Sequence, residues 1–465
     1  MRDRSLLFLL AATTSLAMQA TQWSVGPGEA YTAPSQVAAL VGNGDTVNIA
    51  AGVYPSDVTN WTADDLLLRG VGGRAHLESN GNAWGNKGIW VIQGDRTTVE
   101  WIEFSECSVP DHNGAGIRME GKHLTVRHCY FHYNENGILA GTPNASPSNI
   151  TIEHCEFAHN GFGDGFSHNL YINHTDTLWF RYNYSHHTNV GHELKSRAHV
   201  NVIEYNRFSN EQNGNASREI DLPDGGQAYL IGNVLHQGQQ GQNSNMIGFG
   251  LESMSNPGPH ELFAINNTLV NERTVGSFFS MNSATAFKAY SNILAGQGQF
   301  VANFFPLQTD TAGNLKEPVF ALIGFADPNN YDYHIDNASP AHNRGIPAGY
   351  SNSGYALVAW DEYVHPRVAP CAASMRCSMP APSRPAPRAC RKVGQDIADA
   401  AQPVQGLVHI AAPAGALMKL FDAQGRLLRS AQSTGIIAFR LLAAVSHPVR
   451  MRCMAHEGSR SVKSW

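Results

Sequence analysis

A short segment returns along the middle of the chain, and its spacing decides the fold. It first reads His128-Cys129-Tyr130-Phe131 and next His154-Cys155-Glu156-Phe157. Asparagine replaces the cysteine in five later copies: Tyr182-Asn183-Tyr184, Tyr205-Asn206-Arg207-Phe208, Gly232-Asn233-Val234-Leu235, Asn266-Asn267-Thr268-Leu269 and Ser291-Asn292-Ile293-Leu294. Successive cysteine or asparagine positions are 26, 28, 23, 27, 34 and 25 residues apart.

A period in the twenties, with short β-branched segments and no helical pattern, predicts a β solenoid. A single coil cannot bury its apolar face, so stacked coils share one core. We expect the equivalent asparagines to hydrogen-bond from coil to coil as an internal ladder. Cys129 and Cys155 occupy the same position, which predicts buried thiols rather than a disulfide.

The repeats resemble those of the right-handed parallel β-helix, the pectate-lyase-like superfamily. An opening pair of coils and the closing segments extend the resemblance over about residues 22–350: Val25-Gly26-Pro27-Gly28, Gly44-Asp45-Thr46-Val47, Gly52-Val53-Tyr54, Leu66-Leu67-Leu68-Arg69-Gly70-Val71-Gly72-Gly73, Phe325-Ala326-Asp327-Pro328, Asp332-Tyr333-His334 and Ser339-Pro340. It implies an all-β, right-handed parallel β-helix. The superfamily holds lyases, hydrolases, epimerases and binding proteins, so the resemblance implies no single activity.

The two ends of the chain differ from its middle. Arg2 and Arg4 precede an apolar run, which is typical of an export signal and predicts a secreted or periplasmic protein. Proline, alanine and arginine then enrich a late stretch, after which alternation returns at 407–410, 417–421 and 436–441. The predicted boundaries are a signal peptide over 1–20, a β-helix catalytic domain over 21–361, a linker over 362–402 and a small C-terminal β module over 403–465.

Charge is divided unevenly along the chain. Residues 362–465 contain 14 Lys+Arg and 5 Asp+Glu, a net charge of +9, which leaves 18 and 33, a net charge of −15, for the rest. An acidic body argues against nucleic acid as a partner. It suits a neutral glycan, or an acidic polysaccharide held by a local basic cluster or a bridging cation. No long apolar run follows the N-terminus, so we expect no membrane span. We also expect the protein to be a monomer.

Three consecutive coils concentrate the groups that can do chemistry. Strand alternation places Leu170, Leu194 and Ile220 inward. Their neighbours are then expected on the outer face, in two columns: Asn169 over Glu193 over Glu219, and Tyr171 over Lys195 over Asp221. Asn173 and Arg197 flank these columns, and Arg118 falls in the second column two coils earlier.

This set suits β-elimination of a uronate-containing polysaccharide. The reaction needs a group that neutralises the uronate carboxylate, a base and an acid. Lys195 is the predicted base, and Arg197, Arg218 or a calcium ion is the predicted neutralising group. The predicted acid is Tyr171, His168 or His192. In the alternative, Tyr171 or His192 is the base in place of Lys195. The predicted calcium ligands are Asn169, Glu193, Glu219 and Asp221, and the predicted substrate-binding residues are Arg118, Asn173 and His174.

A narrower resemblance supports the lyase prediction. Lys195-Ser196, followed by Asn206-Arg207-Phe208, is similar to the catalytic coil of the chondroitinase-B and alginate lyase family, where the lysine is the base. The family's acid arginine falls at Pro223 here, which moves that role to Arg218 or Arg197. Its calcium-binding acids likewise fall at Val190 and Thr188.

Other functions stay open at this point. Six histidines crowd the same stretch and allow a histidine base or a transition-metal site: His168, His174, His186, His187, His192 and His199. A glycoside hydrolase would use Asp221 with Glu193, Glu219 or Asp224. A non-catalytic β-helix that binds glycans, or a stacked ladder of ion pairs, would need no reaction at all.

Overall fold

The computed structural model describes residues 20–141, 148–302, 306 and 308–364, together with five short strands beyond residue 406. The predicted signal peptide, except for its last residue, and nearly all of the predicted linker lie outside the described residues. No helix among the described residues is long and apolar enough to cross a membrane.

The chain winds as a right-handed parallel β-helix, as predicted, with three strands in each full coil. Each strand of the coils pairs in parallel with its equivalent in a neighbouring coil, which forms three long sheets. Sheet 1 and sheet 2 share the two longest strands, Thr46–Pro55 and Leu67–Glu78, which bend from one sheet into the other. Helix is confined, in the described residues, to Ser35–Ala38 and two 3-10 turns at Phe320–Leu322 and Pro328–Asn330.

Besides the two shared strands, sheet 1 contains Gln22–Val25, Thr98–Glu100, Leu124–Arg127, Asn149–Glu153, Thr177–Arg181, Val200–Glu204, Gln227–Ile231, Glu261–Ile265, Ala286–Tyr290 and Gln308–Ala312. Sheet 2 adds Ile102–Ser105, Tyr130–His132, Glu156–Ala158, Tyr184–His186, Arg207–Ser209, Val234–Gln237, Thr268–Asn271, Ile293–Gly296 and Leu315–Glu317. Sheet 3 contains Thr59–Trp61, Gly88–Ile92, Ala115–Met119, Asn136–Ala140, Leu170–Ile172, Lys195–Ser196, Ile220–Leu222, Asn245–Phe249, Ser277–Met281 and Gln299–Val301. An antiparallel pair, Phe325–Asp327 with Asp332–Ile335, follows the last coil.

The recurring segment is the corner between sheets 1 and 2. Its first residue adopts a left-handed conformation, with φ of 55° at His128, 56° at His154 and 55° at both Tyr182 and Tyr205. These rings stack outside the solenoid, with centroids 5.1 Å apart for His128 and His154 and 4.9 Å for His154 and Tyr182. Gly232 takes the next place, where a Cβ would approach the Tyr205 ring to 2.7 Å.

The second residue of the segment points inward and builds the predicted ladder. The side-chain oxygen of Asn206 accepts the backbone N–H of Asn183 at 2.8 Å, and its amide nitrogen donates to the Phe180 carbonyl at 2.8 Å. The same pattern runs on through Asn233, Asn267, Asn292 and Asn314. Cys129 and Cys155, earlier in the same column, are buried thiols, which confirms that prediction.

The C-terminal strands form two small antiparallel groups. Leu407–Ala411 pairs with Ile436–Arg440, and Leu417–Phe421 lies between Leu427–Gln432 and Arg450–Met454. The three strands expected from alternation are confirmed to within one residue, and two more are present. The predicted domain boundaries stay a prediction.

The Asn206→Ala substitution should destabilise the solenoid. It leaves the Asn183 N–H and the Phe180 carbonyl without their side-chain partner, in a site that is 0% exposed. Each buried polar group that loses its partner costs about 1–3 kcal/mol. A lower urea midpoint for Asn206→Ala is expected, while the exposed control Asn149→Ala should stay near wild type. Equal midpoints for the two variants would contradict a stabilising ladder.

Candidate active site

One of the two predicted columns is present on the outer face of sheet 3. Tyr171 pairs with Lys195, and Lys195 pairs with Asp221. In the other direction Tyr171 pairs with Leu139, which pairs with Arg118, so Arg118 lies two coils earlier as predicted. Because neighbouring strands are about 4.8 Å apart, this column extends about 19 Å along the solenoid. Leu170, Leu194 and Ile220 are buried inside, which confirms the inward face.

A glutamate from the loop after strand Asn245–Phe249 joins two cations of this face. Lys195 Nζ donates to Glu252 Oε1 at 2.6 Å, and Arg197 Nη2 donates to Glu252 Oε2. Burial raises the pKa of Glu252, but the hydrogen bonds from Lys195 and Arg197 outweigh it and lower the pKa overall. The Glu252 side chain is still 47% exposed, so this doubly held carboxylate lies at the surface.

Arg197 connects that carboxylate to a phenol. Its Nε donates to the Tyr171 hydroxyl oxygen at 2.9 Å, and its Nη1 donates to Asp224 Oδ1 at 2.6 Å. Asp224 in turn accepts from Ser253 Oγ at 2.9 Å, and its second oxygen lies 3.0 Å from His174 Nε2. Arg197 is therefore fixed on several sides and holds the Tyr171 oxygen in place.

Asp221 is the buried carboxylate of the column. Its Oδ1 accepts from Arg218 Nη1 at 2.9 Å, and its Oδ2 lies 3.6 Å from Lys195 Nζ and 3.5 Å from His192 Nε2. Oδ2 accepts no hydrogen bond from the described part of the chain. Burial raises the pKa of Asp221, and the nearby Arg218 and Lys195 offset only part of that rise.

The two predicted catalytic histidines form a stacked pair, with ring centroids 4.9 Å apart. The backbone N–H of His192 donates to His168 Nδ1 at 3.0 Å, and the backbone N–H of Arg218 donates to His192 Nδ1 at 3.2 Å. Both Nδ1 lone pairs are thus in use, which leaves the ring hydrogens on Nε2. Burial and the charge of Lys195 lower the pKa of His168 to about 3, and burial lowers that of His192 as well.

The other predicted column is not on the outer face, and that prediction is wrong. Asn169, Glu193 and Glu219 are each 0% exposed. They continue a second internal ladder at the corner between sheets 2 and 3: Asn160 donates to Asn169 at 2.8 Å, and Asn169 donates to Glu193 at 2.6 Å. Alternation fails here because the chain turns just before each sheet 3 strand, so two adjacent side chains, such as Glu193 and Leu194, both point inward.

The predicted calcium ligands therefore do not come together. Glu193 already accepts hydrogen bonds from the Thr188 backbone and hydroxyl, the Ser185 hydroxyl and the Asn169 amide. Asn169 turns its NH₂ group toward Glu193, whereas calcium binds oxygen atoms. Asp221 belongs to the outer column and is ion-paired with Arg218. These four residues do not fit calcium, and a calcium requirement met elsewhere in the chain stays a prediction.

A shallow cleft continues from the charged face toward the N-terminal coils. Three of the predicted site residues line it together: Arg118, Tyr171 and Asn173. The lining also includes Lys87, which is ion-paired with Glu120, the Asp111 carboxylate and the 84% exposed Phe166 ring. His174 lies beside Asn173, whose side-chain oxygen is 2.9 Å from His174 Nδ1.

Glu252 and Phe166 belong to this face, but the sequence predicts neither of them as a site residue. Glu252 lies 57 residues beyond Lys195, in a loop outside the repeating columns. The loop is fixed by backbone hydrogen bonds from Glu252 and Ser253 to the Pro223 carbonyl. The repeat does not predict the position of a loop that lies outside it. A single glutamate in such a loop also gives no indication in the sequence that it reaches Lys195.

Comparisons with known proteins agree with this architecture. The profile of a family described as "Right handed beta helix region" matches residues 56–293. Among solved structures, pectate lyase Pel9A is 13% identical, with a TM-score of 0.53 over 74% of this chain and 96% of that one. The A-module of the Azotobacter vinelandii mannuronan C-5 epimerase AlgE6 is 12% identical, with a TM-score of 0.37 over 61% and 93%. At 13% identity the likeness to the pectate lyase shows the fold alone. No curated protein matches the sequence.

Glu219→Gln tests the interior placement of that residue. Burial raises the pKa of Glu219 well above 4.5, so the folded protein keeps its proton where the unfolded chain has lost it. The stability that this proton provides is present at acidic pH and is lost as the pH rises through the folded-state pKa. Glu219→Gln cannot ionise, so it should match wild type in acid and exceed it in alkali.

The measurement is the urea midpoint across that pH range, with the exposed Glu29→Gln as control and with each series repeated in calcium and in chelator. Parallel pH curves for wild type and Glu219→Gln would contradict the buried acid. Stabilisation of wild type, but not of Glu219→Gln, by calcium would restore Glu219 as a calcium ligand.

Proposed function

The chain belongs to the right-handed β-helix family. From the side chains that this fold presents on sheet 3, we propose that it is an exported lyase that cleaves a uronate-containing polysaccharide by β-elimination. The fold supplies a long flat face on which a polymer can lie. The activity is argued from the side chains of sheet 3, because this fold carries many activities.

One observation carries the proposal: Lys195 and Arg197 together hold a carboxylate beside a phenol. That carboxylate belongs to Glu252, from an exposed loop, and each of its oxygens faces one cation. A uronate carboxylate has the same charge and the same two oxygens. Glu252 therefore marks a carboxylate-binding site, and a substrate uronate would displace it.

β-Elimination at this site needs no water and no external oxidant. Lys195 and Arg197 neutralise the uronate carboxylate, which makes the neighbouring C5 hydrogen acidic. The Tyr171 oxygen accepts that hydrogen while it passes its own hydrogen to the glycosidic oxygen. The C5–H electron pair becomes the C4=C5 double bond, and the C4–O pair leaves with the glycosidic oxygen. Tyr171 ends the step as a neutral phenol, and the products are an unsaturated uronate and a free hydroxyl.

This assignment differs from Lys195 as base. Lys195 Nζ lies between two carboxylates, 2.6 Å from Glu252 and 3.6 Å from Asp221, and in this scheme a bound uronate takes the place of Glu252, so Lys195 acts as its cationic partner. The ring nitrogens of His168 and His192 that could accept a proton already accept backbone N–H groups. Tyr171 is the proton carrier whose oxygen is held by Arg197, one of the two cations that bind the carboxylate. Lys195 as base, with Arg218 or Arg197 as acid, stays the competing prediction.

The hydrolase alternative receives less support. Two carboxylates must flank the scissile bond in that chemistry. Glu193 and Glu219 are enclosed in the solenoid and cannot reach a substrate. Asp221 and Asp224 each accept a hydrogen bond from an arginine, Arg218 and Arg197. Export, a monomeric state and an acidic polysaccharide substrate complete the proposal, and a glycan-binding protein without activity is its main competitor.

Tyr171→Phe should abolish activity on the correct polysaccharide. Removal of a proton-transfer group lowers turnover by roughly 10²–10⁴-fold. The assay is ultraviolet absorbance of the unsaturated uronate, with alginate, pectate and glycosaminoglycans as substrates. Tyr290→Phe, which removes a tyrosine hydroxyl that donates to Asp310 on sheet 1, is the control and should stay active.

Lys195 distinguishes the two mechanisms. Lys195→Arg keeps the charge and should keep most of the activity, whereas Lys195→Met should lose it. Loss of activity in Lys195→Arg with an active Tyr171→Phe would instead establish lysine as the base. New reducing ends without ultraviolet absorbance would indicate a hydrolase, and retention on a glycan column with neither signal would indicate a binding protein.

Glu252→Gln tests the displacement step. Without its charge the side chain competes less for Lys195 and Arg197, so KM for the polysaccharide should fall while turnover changes little. Glu100→Gln, which removes a carboxylate paired with Arg127 on sheet 1, should leave KM unchanged. A higher KM in Glu252→Gln would mean that Glu252 organises the site rather than competing for it.

A further inference from the structure

Three histidines meet at the corner that follows sheet 2, on a different face from Lys195 and Tyr171. His186 ends strand Tyr184–His186, and His187 is the first residue of the turn. His159 occupies the equivalent turn position one coil earlier, because Ala158 pairs with His186. Stacking of the coils places equivalent residues next to each other. It therefore brings His159 beside His187, with ring centroids 4.9 Å apart.

The nitrogen atoms of these rings converge. One ring nitrogen from each of His159, His186 and His187 lies within 4.8 Å of the other two. The Nδ1 atoms of His186 and His187 are 2.8 Å apart. One of these nitrogens therefore carries a hydrogen and donates it to the lone pair of the other. A tetrahedral ion with metal–nitrogen bonds of 2.0–2.1 Å would hold its nitrogens about 3.3 Å apart. The present nitrogen–nitrogen distances, 2.8 Å between His186 and His187 and at most 4.8 Å among all three rings, lie on both sides of that spacing.

A carboxylate orients the His186 ring from the side that faces away from the cluster, as is usual for metal-binding histidines. Its Nε2 lies 3.4 Å from Glu156 Oε1, so the carboxylate orients the ring and leaves Nδ1 for the centre of the cluster. Glu156 comes from the strand that pairs with Tyr184–His186. The ring is thereby oriented by a residue that is not itself one of the three.

We propose that His159, His186 and His187 bind a divalent transition-metal ion, with zinc as the best match, and that Glu156 positions His186. Three imidazoles favour zinc, copper or nickel over calcium or magnesium, which prefer oxygen. Three protein ligands leave one coordination position open. This metal site takes no part in the proposed lyase chemistry. It lies on the outside of the corner between sheets 2 and 3, and the Glu193 side chain lies inside the same corner.

The test uses the full chain, stripped with a chelator and titrated with Zn²⁺ alone by calorimetry, and with Co²⁺ to record the visible absorption of a tetrahedral nitrogen site. One tight Zn²⁺ per chain and a Co²⁺ spectrum are expected. His159→Asn and His187→Asn should lose both, and asparagine suits these positions because φ is 56° and 54° there. Glu156→Gln should weaken zinc binding roughly 10–100-fold while the Co²⁺ spectrum remains.

Two control variants separate this site from other histidines. His334→Asn removes an exposed histidine paired with Asp332, and His132→Gln alters a second group formed with His76 and Glu103. Both should bind Zn²⁺ as wild type does. Absence of tight binding in wild type, or loss of binding only in His132→Gln, would overturn the proposal. The melting temperature of each metal-free variant identifies any variant that fails to fold, and Glu156→Gln, which leaves all three ligands in place, then decides.

Discussion

Parallel pairing of every strand with its equivalent in the next coil is the constraint on which this molecule depends. It fixes the axial rise at about 4.8 Å per coil and brings equivalent residues into columns. A side chain in such a column must be compatible with the same position above and below. Apolar residues satisfy this by packing, as the Phe104, Phe131 and Phe157 rings do at centroid distances of 5.0 and 4.9 Å. Asparagines satisfy it by linking one coil to the next through hydrogen bonds.

The same constraint explains how far the sequence could be interpreted. The spacing of Asn183, Asn206 and Asn233 predicted the solenoid, the ladder and the order of the coils, because a periodic structure leaves a periodic sequence. Strand alternation also placed Tyr171, Lys195 and Asp221 in one outer column. It failed for Asn169, Glu193 and Glu219, since alternation holds inside a strand and these residues precede one, at a corner where the backbone turns.

Residues outside the repeat could not be predicted at all. Glu252 reaches Lys195 and Arg197 from a loop inserted between strands Asn245–Phe249 and Glu261–Ile265, and its position depends on backbone contacts with Pro223. The three-histidine cluster is an intermediate case. Crowding of histidines was visible, but the partner of His186 and His187 proved to be His159, 27 residues before His186, and only the register of Ala158 with His186 establishes that contact.

Charge balance at the candidate active site bears on the kind of substrate it would hold. Three cations, Lys195, Arg197 and Arg218, face three carboxylates, Asp221, Asp224 and Glu252. Replacement of Glu252 by a uronate exchanges one carboxylate for another, so the exchange itself gains little electrostatic energy. Net affinity must then come from contacts that Glu252 cannot make. Arg118, Asn173 and Phe166 line the cleft together with Tyr171 and would offer such contacts to further sugar units of the proposed substrate. If the chain is the proposed lyase, it should therefore bind a polymer more tightly than a single uronic acid, because the site already contains a carboxylate of its own.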